Sequence, residues 1–157
     1  MRQVRRPSRS CVRRWAAADQ PALLHQLGVA EVRQGQIGVA DPVAFQDQGS
    51  VHHCHGCGAA NEKGLQLKSY WDGDEAVATW RAQPHHCGGT RENLNGGIIA
   101  SLIDCHSLNL AIAQASRLET RAIGSAPRIG YVTANMNIDY LKPTPIDELI
   151  DLRARIT

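Results

Sequence analysis

Asn95-Gly96-Gly97-Ile98-Ile99-Ala100-Ser101-Leu102-Ile103-Asp104-Cys105-His106-Ser107-Leu108-Asn109-Leu110-Ala111-Ile112-Ala113-Gln114 is the stretch on which the fold turns. Ile99, Leu102, Ile103, Leu110 and Ala113 recur at helical spacing, which predicts one long helix over 95–114, apolar enough to be buried. Asn95 is a strong helix N-cap, and the two glycines after it let another molecule approach the first backbone N–H groups closely. One face carries the small residues Gly97, Ala100, Ser101, Asp104, Ser107 and Ala111. A carboxylate among such neighbours has room for a ligand beside it; the competing reading is a solvated Asp104, or one satisfied by Ser101 and Ser107.

Working outward, the flanks predict strands. Leu65, Leu67 and Trp71 alternate, Asp72-Gly73 signals a tight turn, and Ala76 to Ala82 reads as extended, together a β-hairpin. Beyond the helix, residues 131–141 alternate, with Val132, Ala134, Met136, Ile138 and Tyr140 expected on the buried face and Thr133, Asn135, Asn137 and Asp139 on the other. Lys142-Pro143-Thr144-Pro145 forms a turn, and a further strand starts at Glu148.

At 157 residues the chain has room for one domain with a real core. With 43% hydrophobic and 20% charged residues it has an ordinary globular composition, and no uninterrupted apolar run reaches the roughly 18 residues that span a bilayer. The net charge of +2 is uneven: Arg2, Arg5, Arg6, Arg9, Arg13 and Arg14 all precede the first acidic residue, Asp19. A terminal arginine run without interleaved aromatics gives nucleic-acid binding little support. Residues 1–44, with Pro7, Pro21, Pro42 and a short helical pattern around 22–27, read as a poorly ordered extension ahead of a domain over 45–157. Five cysteines, an odd number, and no secretory leader point to a reducing compartment, the cytoplasm. The Arg-rich start reads first as a reading frame extended ahead of the true start, the alternative being a mitochondrial transit peptide and a mitochondrial matrix location.

Four pieces in order, Cys54-His55-Gly56-Cys57-Gly58, Gly64-Leu65, the run from Asn95 to Asp104, and Asp139-Tyr140-Leu141-Lys142-Pro143-Thr144-Pro145, resemble the phenylacetate-degradation type of hotdog-fold thioesterase over roughly 45–157. The resemblance implies an α+β fold in which an antiparallel sheet wraps one long central helix, dimers or dimers of dimers, and hydrolysis of acyl-CoA with neither a metal nor a cofactor. It also implies that Asp104 activates water or attacks the thioester while the backbone N–H of Gly96 or Gly97 holds the carbonyl oxygen. Two features depart from the family: Asn95 stands where many members carry His, and the family would continue past Thr157 with about two more strands to complete the sheet.

Eight positions separate Gly96 from Asp104, about 12 Å of helix at about 1.5 Å per residue. One carbonyl cannot meet both, so joint action on one thioester requires the aspartate of a second, antiparallel copy. Thr133 and Asn135, against a solvated sheet face, are candidate substrate contacts together with Ser101 and Ser107, and Arg91, Arg117 and Lys142 are available basic groups on or near presumed loops and turns, with no CoA phosphate contact assigned to any of them. His52, His53, Cys54, His55 and Cys57, with His85, His86 and Cys87, offer a possible zinc set, against packed free thiols; Cys105 reads as core. A hotdog hydratase or dehydratase, which would need a pocket histidine, and a non-catalytic acyl-thioester binder are the other functional readings.

Overall fold

The computed structural model describes residues 9–15, 24–33, 43–49 and 53–157, the first two segments through their backbone pairing. Six strands form one sheet: β1 (Arg9–Trp15), β2 (Leu24–Arg33), β3 (Tyr70–Asp72), β4 (Glu75–Arg81), β5 (Gly130–Met136) and β6 (Leu149–Ile156). Two helices accompany them, the one-turn α1 (Phe45–Gln48) and the 23-residue α2 (Gly96–Leu118). The sheet order is β3-β4-β6-β2-β1-β5 with every pairing antiparallel.

The hairpin turn forms where the sequence puts it, but the first strand is confined to Tyr70–Asp72, so Leu65 and Leu67 lie ahead of it in non-strand chain packed into the core. Asp72 pairs with Glu75 and Gly73 takes φ +63 at the first loop position, a conformation that costs glycine nothing. Arg153 on β6 bridges Asp72 and Glu75 at 3.2 and 3.1 Å, which ties the turn to the neighbouring strands. β4 and β6 are central, so Ala76, Val77 and Ala78 on one and Ile150, Asp151 and Leu152 on the other are all buried. The Asp151 carboxylate is satisfied by the Thr79 hydroxyl across the pair at 2.7 Å.

Helix α2 runs four residues further than its periodicity predicts, and it packs against β5 and β6. Ile99, Leu102, Ile103 and Cys105 join Leu65, Leu67, Trp80, Ile150 and Leu152 in one cluster. Leu110, Ala111, Ala113 and Ala115 join Phe45, Ala76, Tyr131 and Ala154 in the second. By length and hydropathy α2 is apolar enough to cross a membrane, but here half of that apolar window is buried inside the fold.

Two expectations change. The segment 1–44, read as an extension, contributes β1 and β2, which pair side by side between β6 and β5. One edge of β6 is therefore paired by β2 and one edge of β5 by β1. The short helical pattern around 22–27 gives way to strand from Leu24 because ladder bonds from two neighbours outweigh a weak local preference; apart from Val43 and Ala44, the rest of 1–44 lies outside the described residues. The second change is the facing of β5. Cys11 pairs with Asn135 but Val12 with Thr133, so Ala134 is an extra residue and the strand bulges there. Before the bulge Tyr131 is buried and Val132 is 52% exposed, the reverse of the predicted alternation, whereas Met136 and Ile138 beyond it pack inward as expected.

His106 is fully buried on α2. Its Nε2 donates to the Ala76 carbonyl at 3.1 Å, leaving Nδ1 to accept from the Ser69 hydroxyl at 2.9 Å, and Gln46 completes the network by donating to Ser69 Oγ and accepting from Ser69 N–H. Burial lowers the imidazole pKa from 6.5 to about 4. Because the folded state prefers the neutral ring, this contribution is fully present above about pH 6.5 and is lost as the pH falls toward about 4. Thermal melts across this range should show stability declining below about pH 6.5 by on the order of 3 kcal/mol. The slope should flatten in His106→Leu; an unchanged slope in that variant would mean that other groups set it.

Candidate active site

The helix start is built from backbone. Asn95 Oδ1 accepts from Gly97 N–H at 2.7 Å, and the Asn95 carbonyl accepts from Ile98 and Ile99 N–H at 3.0 and 3.2 Å. The cap thus occupies the Gly97 N–H. Gly96 N–H makes no hydrogen bond to the described residues, so of the two glycines Gly96 keeps a donor for an external oxygen. Tyr140 Oη donates to the Gly96 carbonyl at 2.8 Å, and a Cβ on Gly96 would come within 3.3 Å of the Tyr140 ring. Only glycine lets the ring lie this close without displacing it.

This corner opens on a cleft of about 600 Å³ lined by Gly88, Asn95, Gly96, Ile99, Tyr140 and Lys142 among others. Neighbouring backbone holds its walls: Leu94 N–H donates to Thr144 O at 2.8 Å, Asn95 N–H to His86 O at 3.0 Å, and Ile146 N–H to Glu92 O at 2.9 Å.

Asp104 does not line that cleft. It sits half-buried two turns further along α2 and accepts a hydrogen bond from the Thr133 hydroxyl. The β5 bulge makes this contact possible, because it turns Thr133 onto the helix-facing side, where simple alternation would place it outward. Thr133 therefore orients the carboxylate in place of the solvent-facing position that the alternation assigned to it. A single donor leaves most of the lone-pair sites of the carboxylate available for water or substrate.

The other candidate residues separate. Ser101 Oγ bonds back to the Gly97 carbonyl at 3.0 Å and stays half-buried between the helix start and Asp104. Ser107 is buried, and Asn135 is exposed beyond the bulge. Lys142 is exposed at the cleft and Arg91 is exposed in the loop between the lining residues Thr90 and Asn93, while Arg117 lies at the far end of α2 over the Trp71 ring. Tyr140 was legible only as part of a motif; its role as a clamp on Gly96 depends on a contact 44 residues away in sequence.

The cysteines assemble differently from the zinc set read in the sequence. Cys54, Cys57 and Cys105 bring their sulfurs within 4.8 Å of one another, so Cys105 is more than core packing. The contact with the Cys105 thiol lowers the Cys57 pKa against the opposing effect of burial, with help from Asn109, while the same contact and burial push Cys105 up. His85 and His86 pack edge to face, His86 stacks on Trp80, and neither they nor Cys87 joins the sulfurs. His52 lies outside the described residues.

Residues 92–157 match the family described as the thioesterase superfamily, a segment that begins just before α2 and takes in β5 and β6. The comparison with curated proteins and with solved structures gives no match. The family match and the sheet packed on one long helix define an α+β hotdog fold, and the class of chemistry to which they point is thioester hydrolysis.

Asn95→Ala should cost about 1 kcal/mol in chemical denaturation, whereas Asn95→Asp should stay within a few tenths of the parent, since the cap needs a side-chain acceptor. Equal losses in both would show that the side chain does more than cap.

Proposed function

We propose that the protein is an acyl-CoA thioesterase of the phenylacetate-degradation type, acting as a homodimer or a dimer of dimers. The observation that carries this reading is the pair of features on α2: a Gly96 N–H left free at a helix start that opens on a cleft, and an Asp104 carboxylate oriented by Thr133. The thioester carbonyl oxygen sits at the Gly96 N–H, where the helix dipole adds to the donor, and the attraction grows as that oxygen becomes an oxyanion. Asp104 takes a proton from water as the water attacks the carbonyl carbon, and collapse of the tetrahedral adduct expels CoA as a thiolate. In the variant route a carboxylate oxygen attacks directly and the CoA thiolate leaves, and water then cleaves the resulting acyl-enzyme anhydride to the free acid and the carboxylate.

The two groups lie on one helix about 12 Å apart, at about 1.5 Å rise per residue, so the carboxylate that serves one cleft comes from the partner copy. Large apolar side chains left in solvent support such a partner: Val132 is exposed on β5, and Tyr140 and Leu141 are exposed beside the cleft.

A hydratase finds less support, since His106 is fixed in the core between Ser69 and Ala76 and no histidine is among the residues lining the cleft. A non-catalytic acyl-thioester binder is the second reading, favoured by Asn95, whose side-chain Oδ1 is spent on the cap.

Thiol release from a panel of acyl-CoAs tests the assignment. Asp104→Asn should lower turnover by roughly 10²- to 10⁴-fold while acyl-CoA binding persists, and Thr133→Val should reduce turnover more mildly. Unchanged turnover in Asp104→Asn would remove this carboxylate from the mechanism, and acyl-CoA binding without turnover in the parent chain would favour the binder.

A further inference from the structure

The loop 53–58 and helix α2 meet at sulfur. Cys54 Sγ and Cys105 Sγ are 3.6 Å apart, and Cys57 completes a triangle in which all three atoms lie within 4.8 Å of one another. A disulfide requires about 2.05 Å, so these are separate thiols. The spacing suits something between them: zinc–sulfur bonds of about 2.3 Å in a tetrahedron set sulfur–sulfur edges of about 3.8 Å.

The surroundings are built for this approach. Gly56 lies against α2 so closely that a Cβ there would fall 2.3 Å from Cys105 Sγ and 3.3 Å from the Ser101 carbonyl. The loop is held in place by Gly58 N–H to Cys54 O at 3.0 Å, Leu65 N–H to His55 O at 2.8 Å and Leu67 N–H to Gly56 O at 2.9 Å. Asn109, one turn along from Cys105, directs its amide to Cys57 Sγ at 3.5 Å and to the Cys105 carbonyl at 2.8 Å. A donor of that kind beside a metal thiolate orients it and offsets its charge.

We propose that Cys54, Cys57 and Cys105 bind one thiophilic cation, zinc or a comparable soft divalent ion, which fastens the 53–58 loop to α2 one residue beyond Asp104. Three thiolates fill three positions of a tetrahedral ion and leave the fourth to water or a small ligand. The site is independent of the thioesterase reading, because its ligands are none of the groups assigned to the reaction. Cys87 and the neighbouring histidines take no part.

Cobalt(II) alone, added to the full chain after reduction and chelator treatment, is the probe. About one equivalent per chain should bind with a thiolate-to-cobalt charge-transfer band. The band should disappear in Cys57→Ser and Cys105→Ser and persist in Cys87→Ser. Since the serine variants can lose their fold, alkylation of the parent chain with and without zinc supplies a second measurement: zinc should protect Cys54, Cys57 and Cys105, mapped by peptide mass spectrometry, out of the five cysteines. The proposal is overturned by absence of the charge-transfer band in the reduced parent chain, by a band that survives in Cys105→Ser, by protection that omits Cys105, or by a disulfide joining two of the three in protein purified without reductant.

Discussion

The fixed rise of one buried helix governs the rest of the molecule. α2 is apolar around most of its circumference, so it must be covered, and the sheet and the 53–67 loop supply that cover. Covering it immobilises both ends of the candidate chemistry at once. Gly96 is held at the helix start by Tyr140, Asp104 is held two turns along by Thr133, and the separation between them cannot be closed by side-chain motion. A rigid spacer of this kind gives precise placement within a chain, and it leaves each chain with half of a hydrolytic site when both groups serve one substrate.

The three small-scale devices around α2 share one physical theme, close approach of backbone. Gly96 admits the Tyr140 ring, Gly56 admits the Cys105 sulfur, and the Ala134 bulge rotates Thr133 onto the helix. Each replaces an ordinary packing contact with a polar or sulfur contact at a chosen atom. The buried His106 network does the opposite work: it satisfies every polar atom of a histidine deep in the core and keeps it neutral.

Much of this was legible in the residues. Helical spacing of Ile99, Leu102, Ile103 and Leu110 gave the core helix, Asp72-Gly73 gave the hairpin turn, and Asn95 gave the cap. What escaped was non-local. The facing of Val132 and Thr133 inverted because a bulge depends on a partner strand more than one hundred residues away in sequence. Cys105 reads as core on its own helix, and only packing brings it to Cys54 and Cys57. The strands at 9–15 and 24–33 had no clear alternation to announce them, since their ladders come from β5 and β6. The cap on Gly97 N–H also narrowed two candidate oxyanion donors to one, Gly96, a distinction that spacing could not make.

The composite site is the central claim, and mixed dimers test it most directly. Copies carrying Asp104→Asn are co-assembled with copies carrying Gly96→Val, each variant being inactive alone. If the aspartate and the helix start that serve one thioester come from different chains, each mixed dimer has one intact site and should recover about half of the parent turnover per dimer. If mixed dimers form but remain as inactive as either variant, the two groups work within a single chain or not together, and the account is contradicted.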